Sequence, residues 1–305
     1  MISRRHFLQQ AGAACLLGGL SSAEDEPPSP DQWPTVLFEK PVQNLSYEEI
    51  ADKVAAMGLH GLEATIRRGG HIEPGDAAAQ VPGMMKALSA AGLETVIAAT
   101  HVLQPDEQAR DFLKVLRDNG ITRYRTDYYR YQQGQNLLAQ ARDFHIQASK
   151  LAELNAELGM QAYYQLHSGS RLAGALHWDA ALIFEGLDPA HFAIAYDLRH
   201  ARTDTGLSWQ LSEELVRDHV RALYIKDARW EGEHNEKLAS TPLGTGFVTR
   251  ELFDHVHRHY DGLPLSLHIE WAKHSIYPRE VASQAWPLIE RDARTLQQWL
   301  GKKTD

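Results

Sequence analysis

Eight short strand-like runs alternate with amphipathic stretches from residue 35 onward, and this alternation limits the possible folds more than any other feature of the chain. The runs occupy 35–38, 61–66, 95–99, 122–126, 161–166, 192–196, 222–225 and 265–269, most of them rich in Val, Ile, Leu, Ala or Tyr. Helical patterns cover 46–57, 77–91, 106–119, 135–158, a segment after Trp178, 211–218, 249–260 and 279–300. Strand followed by helix, repeated, predicts parallel strands joined by right-handed crossovers. Eight repeats predict closure into a single (β/α)8 barrel of class α/β, the TIM-barrel architecture. An open doubly wound sheet is the second choice, because no G-x-G turn follows the first strand and no P-loop is present.

Local signals support these boundaries. Ser46-x-x-Glu49 has the spacing of a capping box, in which each side chain satisfies the other residue's backbone N–H at a helix start. Gly58, Gly92, Gly120 and Gly159 each close a helical pattern, where a left-handed residue is expected.

The chain divides into residues 1–30, an export signal and linker, and 31–305, the barrel. Ser3-Arg4-Arg5-His6-Phe7-Leu8 leads into a weakly apolar run and then a Pro-rich stretch. A charged start before a short apolar segment predicts an export signal, too short to serve as a membrane span in the mature protein. The paired arginines resemble a twin-arginine signal, which predicts a periplasmic or secreted location. The single cysteine, Cys15, lies in that segment, so the barrel carries no thiol. A net charge of −9 lacks the basic stripe that holds proteins on nucleic acid, and a small polar substrate is expected instead. Oligomeric state is not legible.

Chemistry is concentrated late in the chain, where four runs end in Gln165-x-His167, Asp197-x-x-His200, Lys226-Asp227 and His268-x-Glu270. Barrel enzymes place their sites at the carboxyl ends of the strands. Side chains two apart share a strand face, so Gln165 and His167 point together, as do His268 and Glu270. Lys226 and Asp227 are neighbours, so one serves the site and the other a loop or helix. Asp197 and His200, with Glu270 and His268, suit a divalent cation such as Mn²⁺, Mg²⁺ or Zn²⁺. The competing reading of each histidine is a hydrogen-bonded structural group, whereas a carboxylate inside a barrel needs a metal, a cation or a substrate hydroxyl. Glu63 ends the second strand ahead of Arg67, Arg68, two glycines and His71, whose donors suit a hydroxylated or anionic ligand or else form a solvated loop. Trp230 and Trp271 closely follow polar clusters and are candidate sugar-stacking walls or ordinary packing residues.

With these residues in view, the chain resembles the sugar phosphate isomerase/epimerase family of xylose isomerase-like barrels. The resemblance rests on Gly58-x-x-Gly61-Leu62-Glu63, Tyr196-Asp197-x-x-His200-Ala201, Ile225-Lys226-Asp227, Pro242-Leu243-Gly-x-Gly246-x-Val248 and His268-x-Glu270. It implies a divalent metal held by acidic and imidazole groups, two of which match Asp197 and Glu270. Gln165 or His167 stands where the family has a strand-five glutamate, and Tyr224 stands where it often has histidine. The resemblance implies proton transfer next to a sugar carbonyl, with Glu63, His167, Lys226 and Asp227 as catalytic candidates and Arg67, His71, Gln165, Trp230 and Trp271 around the substrate. A lyase or hydrolase acting on oxidised glycosides and a non-catalytic carbohydrate-binding barrel are the alternatives.

Overall fold

The computed structural model describes residues 33–260 and 262–301. The expected export signal, with Arg4, Arg5 and Cys15, lies outside the described residues.

The eight expected strands all form. They are β1 (Thr35–Phe38), β2 (Gly61–Thr65), β3 (Thr95–Ala99), β4 (Arg123–Arg125), β5 (Gln161–Gln165), β6 (Phe192–Asp197), β7 (Val220–Ile225) and, last in the chain, β10 (Leu265–Leu267). Every neighbouring pair is parallel, and β1 pairs with both β2 and β10, so the sheet closes into a TIM barrel. Between β7 and β10 an antiparallel hairpin, β8 (Asp227–Glu231) and β9 (Lys237–Thr241), stands apart from the barrel sheet. This hairpin is absent from the expected element string, because Asp227 to Glu231 carries no apolar alternation.

The helices follow in order as α1 (Tyr47–Ala56), α2 (Ala77–Ala90), α3 (Glu107–Asp118), α4 (Leu137–Leu158), α5 (Trp178–Phe184), α6 (Leu198–Thr205), α7 (Trp209–Val216), α8 (Arg250–His257) and α9 (Trp286–Trp299). At α1 the capping box is made: Ser46 Oγ accepts from Glu49 N at 3.3 Å, and Glu49 Oε2 accepts from Ser46 N at 2.8 Å. Gly159 closes α4 at φ 65°. Among the helices the unforeseen one is α6, which starts directly at the end of β6. Asp197 is its N-cap, accepting from His200 N at 3.1 Å, so His200 sits in the first turn of a helix and not in an open turn.

Strand alternation divides the core in two. Leu37, Leu62, Tyr124, Tyr164, Ile194, Tyr196, Leu223, Ile225 and Leu267 face outward and bury against the helix ring. Val36, Ile97, Tyr163, Ala193, Ala195, Ala222 and Tyr224 form a separate apolar plug inside the barrel. The small alanines of β6 and β7 leave room within the ring for the rings of Tyr163 and Tyr224, as close packing requires. Gly61 is required at the start of β2, since a Cβ there runs into the Thr95 carbonyl of the next strand.

Candidate active site

Continuing each inward-facing register past the apolar plug brings a polar layer to the carboxyl ends of the strands. Phe38 pairs with Glu63, Ala99 with Arg125, Gln165 with Ala195, and Asp197 with Tyr224. Lys226, His268 and Glu270 extend the same faces beyond β7 and β10.

These side chains form a continuous network. Glu63 is fully buried, with Oε1 2.8 Å from Arg125 Nε, Oε2 3.0 Å from His268 Nε2, and a further hydrogen bond donated by Ser266 Oγ. Tyr224 Oη donates to Glu63 Oε1 at 3.3 Å. Arg125 Nη1 donates to Gln165 Oε1 at 2.7 Å, and Tyr128 Oη donates to the same oxygen at 2.6 Å. Gln165 Nε2 in turn donates to Asp197 Oδ2 at 2.7 Å. The Lys226 ammonium lies 3.2 Å from Asp197 Oδ2 and 2.8 Å from Glu270 Oε1. Arg199 Nη1 approaches Glu270 Oε2 at 3.9 Å.

The charges are set by these partners. Burial pushes the Glu63 carboxyl up, but Arg125 and then His268 outweigh it and hold it down to about 2. Burial likewise opposes ionisation of Asp197 and Glu270, and Lys226 beside both keeps them below the usual carboxylate range. The same two carboxylates keep Lys226 charged against its own burial. Burial pushes His268 down despite Glu63, so the imidazole is neutral and donates Nε2–H to the carboxylate.

His167 and His200 stand beside this layer, their rings 3.8 Å apart. Ser168 N donates to His200 Nδ1 at 3.1 Å, which consumes that nitrogen's lone pair. His167 is the reverse: Nδ1 faces the Ser168 carbonyl oxygen at 2.8 Å and must carry the proton, so Nε2 carries the lone pair. Burial and the Lys226 charge lower His167 to about 4, and burial lowers the fully buried His177 to about 4 as well. Both values lie below the 6.5 of an unfolded histidine, so the folded state binds fewer protons between them. Stability is therefore complete above that unfolded value and falls as pH drops toward the folded one, by about 2 kcal/mol per histidine at pH 5. Urea unfolding at pH 7 and pH 5 measures this loss; equal free energies after correction for Glu63, Asp197 and Glu270 remove the assignment.

Other expected site residues are placed elsewhere. Asp227, the first residue of β8, holds the adjoining loop: Oδ1 accepts from Ala228 N at 2.7 Å and Val248 N at 2.9 Å, and Oδ2 accepts from Gly246 N at 2.7 Å. It fixes the turn from Pro242 to Val248 against the hairpin, and a Cβ on Gly246 runs into the Ala228 carbonyl. The expected catalytic part for Asp227 is thus corrected to a positioning one, because all three hydrogen bonds come from backbone amides. His71 stacks on Tyr47 at 3.8 Å and reaches Glu39 at 3.3 Å, outside the network. Trp230 lies on β8, half exposed at 46%. Trp271 donates Nε1–H to Asp292 at 2.7 Å, which ties it to α9. Arg67 does reach the mouth, its guanidinium 5.6 Å from the Phe38 ring centre. Arg125, Tyr128, Ser266 and Arg199 were not assigned to the site from sequence. The Arg-Tyr-Arg spacing of β4, with two arginines on one face, was the available signal for Arg125.

Two of the four expected metal ligands, Asp197 and Glu270, are bridged by the Lys226 ammonium where a divalent cation would sit, and His200 and His268 each have one ring nitrogen already engaged, by Ser168 and Glu63. A metal there meets an ammonium group in its place. Among the described residues, one group of three can bring ligand atoms together: Glu213, His255 and His259. Its carboxylate already receives Arg217 Nη2 at 2.5 Å and Tyr260 Oη at 2.7 Å.

No family model matches the chain, and no curated protein matches it. Solved structures do. A probable 3-DHS dehydratase involved in petrobactin synthesis from Bacillus anthracis superposes with a TM-score of 0.64 at 11% identity, covering 87% of this chain and 98% of that one. A 3-keto-D-glucoside 4-epimerase from E. coli gives 0.60 at 14%, covering 87% and 99%. A xylose isomerase-like TIM barrel protein from Mycobacterium smegmatis, solved in complex with magnesium, gives 0.63 at 12%, covering 89% and 98%. The chain shares its TIM-barrel fold with these three proteins, one of them described as a xylose isomerase-like TIM barrel.

Proposed function

We propose that this protein catalyses proton transfer at a carbon next to the carbonyl of a sugar or sugar derivative, as an isomerase or epimerase. The observation that carries the reading is a fixed ammonium, Lys226, held between Asp197 and Glu270 within electrostatic reach of the neutral imidazole of His167. In this mechanism Lys226 and Arg125 stabilise the negative oxygen that develops on the substrate carbonyl. Their partners hold them in place beforehand, so little reorganisation accompanies the reaction. His167 Nε2 takes the proton, and the hydrogen bond from Nδ1 to Ser168 fixes the tautomer. The resulting imidazolium returns the proton to the neighbouring carbon on the same face, which completes an isomerisation; inversion at the first carbon needs a second acid on the opposite face of the substrate.

Glu63 is the poorer base despite its place in the barrel, because four donors surround it and its proton affinity is low. It orients Arg125 and His268. Incubation with keto-sugars in heavy water is expected to wash deuterium into a substrate C–H, and His167→Ala is expected to slow this by about 10²–10⁴-fold. Exchange at the wild-type rate in His167→Ala would falsify the assignment.

One observation favours a second reading, elimination from an oxidised glycoside. Ser168 Oγ lies 2.9 Å from Asp204 Oδ2 and 2.8 Å from His200 Nδ1, which links the site to a cavity of about 790 Å³ lined by Tyr131, Arg171, Asp179 and Asp204. Burial raises the Asp204 carboxyl to about 6, a value suited to protonating a leaving oxygen. One similar structure is described as an epimerase and another as a probable dehydratase; in this protein one first step, removal of a proton beside a carbonyl, would lead to reprotonation under the first reading and to loss of a leaving group under the second. Release of free alcohol from a keto-glycoside, abolished in Asp204→Asn while deuterium exchange persists, distinguishes the second reading from the first.

A further inference from the structure

The three carboxylates of the network have close cationic partners, but several cations at the same mouth do not have carboxylates of their own. Lys40, just after β1, makes no ion pair among the described residues, and its electrostatic neighbours are Glu270, Arg67, Arg125 and Lys226. Arg67, just after β2, also makes no ion pair among the described residues. It shares the Phe38 ring with Arg125, the two guanidinium carbons lying 5.6 and 4.9 Å from its centre. Arg199 on α6 has a buried Nε with no hydrogen-bond partner among the described residues, and its nearest carboxylate is Glu270 at 3.9 Å. The adjacent Glu39 is spoken for by Thr65 N at 2.5 Å, Thr65 Oγ1 at 2.9 Å and His71 at 3.3 Å.

Unpaired, partly buried cations crowded against like charges are unfavourable unless an anion joins them. Burial lowers both Lys40 and Arg67, with Arg125 adding to it at each, while Glu270 opposes the shift at Lys40 and Glu63 and Glu39 oppose it at Arg67. At this mouth Lys40, Arg67, Arg125, Arg199 and Lys226 meet the carboxylates Glu39, Glu63, Asp197 and Glu270, a small cationic excess on a chain whose net charge is −9.

Resting on the reading of this mouth as a sugar site, we infer that the substrate is a carboxylated sugar, of the uronate or keto-acid type, whose carboxylate is received by Arg67 and Lys40. A planar carboxylate matches the guanidinium fork of Arg67. Phosphate is the other anion that such cations take, and barrels bind it at the loops after the seventh and eighth strands. Here the glycine turn in that region has spent the amides of Gly246 and Val248 on the Asp227 carboxylate. The protein's own acid occupies the amides that a phosphate would use.

Calorimetric titration of the full-length protein with D-glucuronate, D-glucose and glucose 6-phosphate tests the inference. Glucuronate is expected to bind at least about tenfold more tightly than glucose. Arg67→Gln and Lys40→Gln are each expected to reduce that preference by about tenfold, with folding checked by circular dichroism. Equal affinity for glucose and glucuronate, or no binding of either, overturns the carboxylate site. Tighter binding of the phosphate ester overturns the choice of carboxylate over phosphate. Deuterium exchange into a neutral keto-sugar, should it occur alongside any of these failures, leaves the proton-transfer reading standing.

Discussion

Lys226→Met is expected to abolish most activity and to lower stability sharply. Removing the ammonium leaves Asp197, fully buried, facing Glu270 with no cation between them. Removing one partner of a buried ion pair costs about 3–5 kcal/mol, because the remaining charge stays desolvated and uncompensated. The rate of substrate deuterium exchange is expected to fall by about 10²–10³-fold, the effect of losing one pre-placed group that stabilises an oxyanion. Urea unfolding and the exchange assay measure the two losses separately. Because Lys226 is attached to the chain, dialysis of the wild type against a chelator is expected to leave exchange unchanged. A chelator-sensitive rate restored by Mn²⁺ would show that a metal displaces Lys226 in the working enzyme, and the proposed role of the lysine would fall.

Arg125→Met is expected to show a comparable loss of stability, about 3–5 kcal/mol, by the same reasoning applied to Glu63. Glu63 retains Ser266, Tyr224 and His268, but these are neutral donors, and the burial that raises its carboxyl is then opposed by hydrogen bonds alone. The charge-neutral double variant Glu63→Gln with Arg125→Met is expected to recover part of that loss. A cycle of unfolding free energies over the two single variants and the double gives the coupling, expected at about 1 kcal/mol or more. Additive single effects would mean that the 2.8 Å contact contributes no coupling energy.

The difference between what was legible and what was not follows strand and helix geometry. Glu63, Gln165, Asp197, Lys226, His268 and Glu270 were recognisable because each terminates or just follows a short apolar run, and a barrel points all such ends at one mouth. Arg125 was visible as a residue but not as a member of the site. A three-residue strand, Arg123–Arg125, gives too short an alternation to fix its inner face. The split of Lys226 and Asp227 between site and loop was foreseen in kind, and the structure decided which residue took which part. Asp227 follows the end of β7 and turns to the amides of Gly246 and Val248, a contact nineteen to twenty-one positions away. The metal expectation rested on residue types at strand ends, which cannot show that Lys226 reaches into the gap between Asp197 and Glu270.

The sequence by itself determined the eightfold repeat of strand and helix and the charged groups that end or follow its strands, Glu63, Asp197, Lys226 and Glu270, but not Arg125, Arg199 or Lys40 as members of the site. These depend on local periodicity, on helix caps and on the two-residue repeat of a strand. Only the tertiary structure decided the pairing of those charges, because it places partners such as Glu63 and Arg125, or Lys226 and Glu270, within 2.8 Å across large separations in the chain. Inside a barrel the dielectric is low, so which acid meets which base sets protonation, and protonation sets what the site can do.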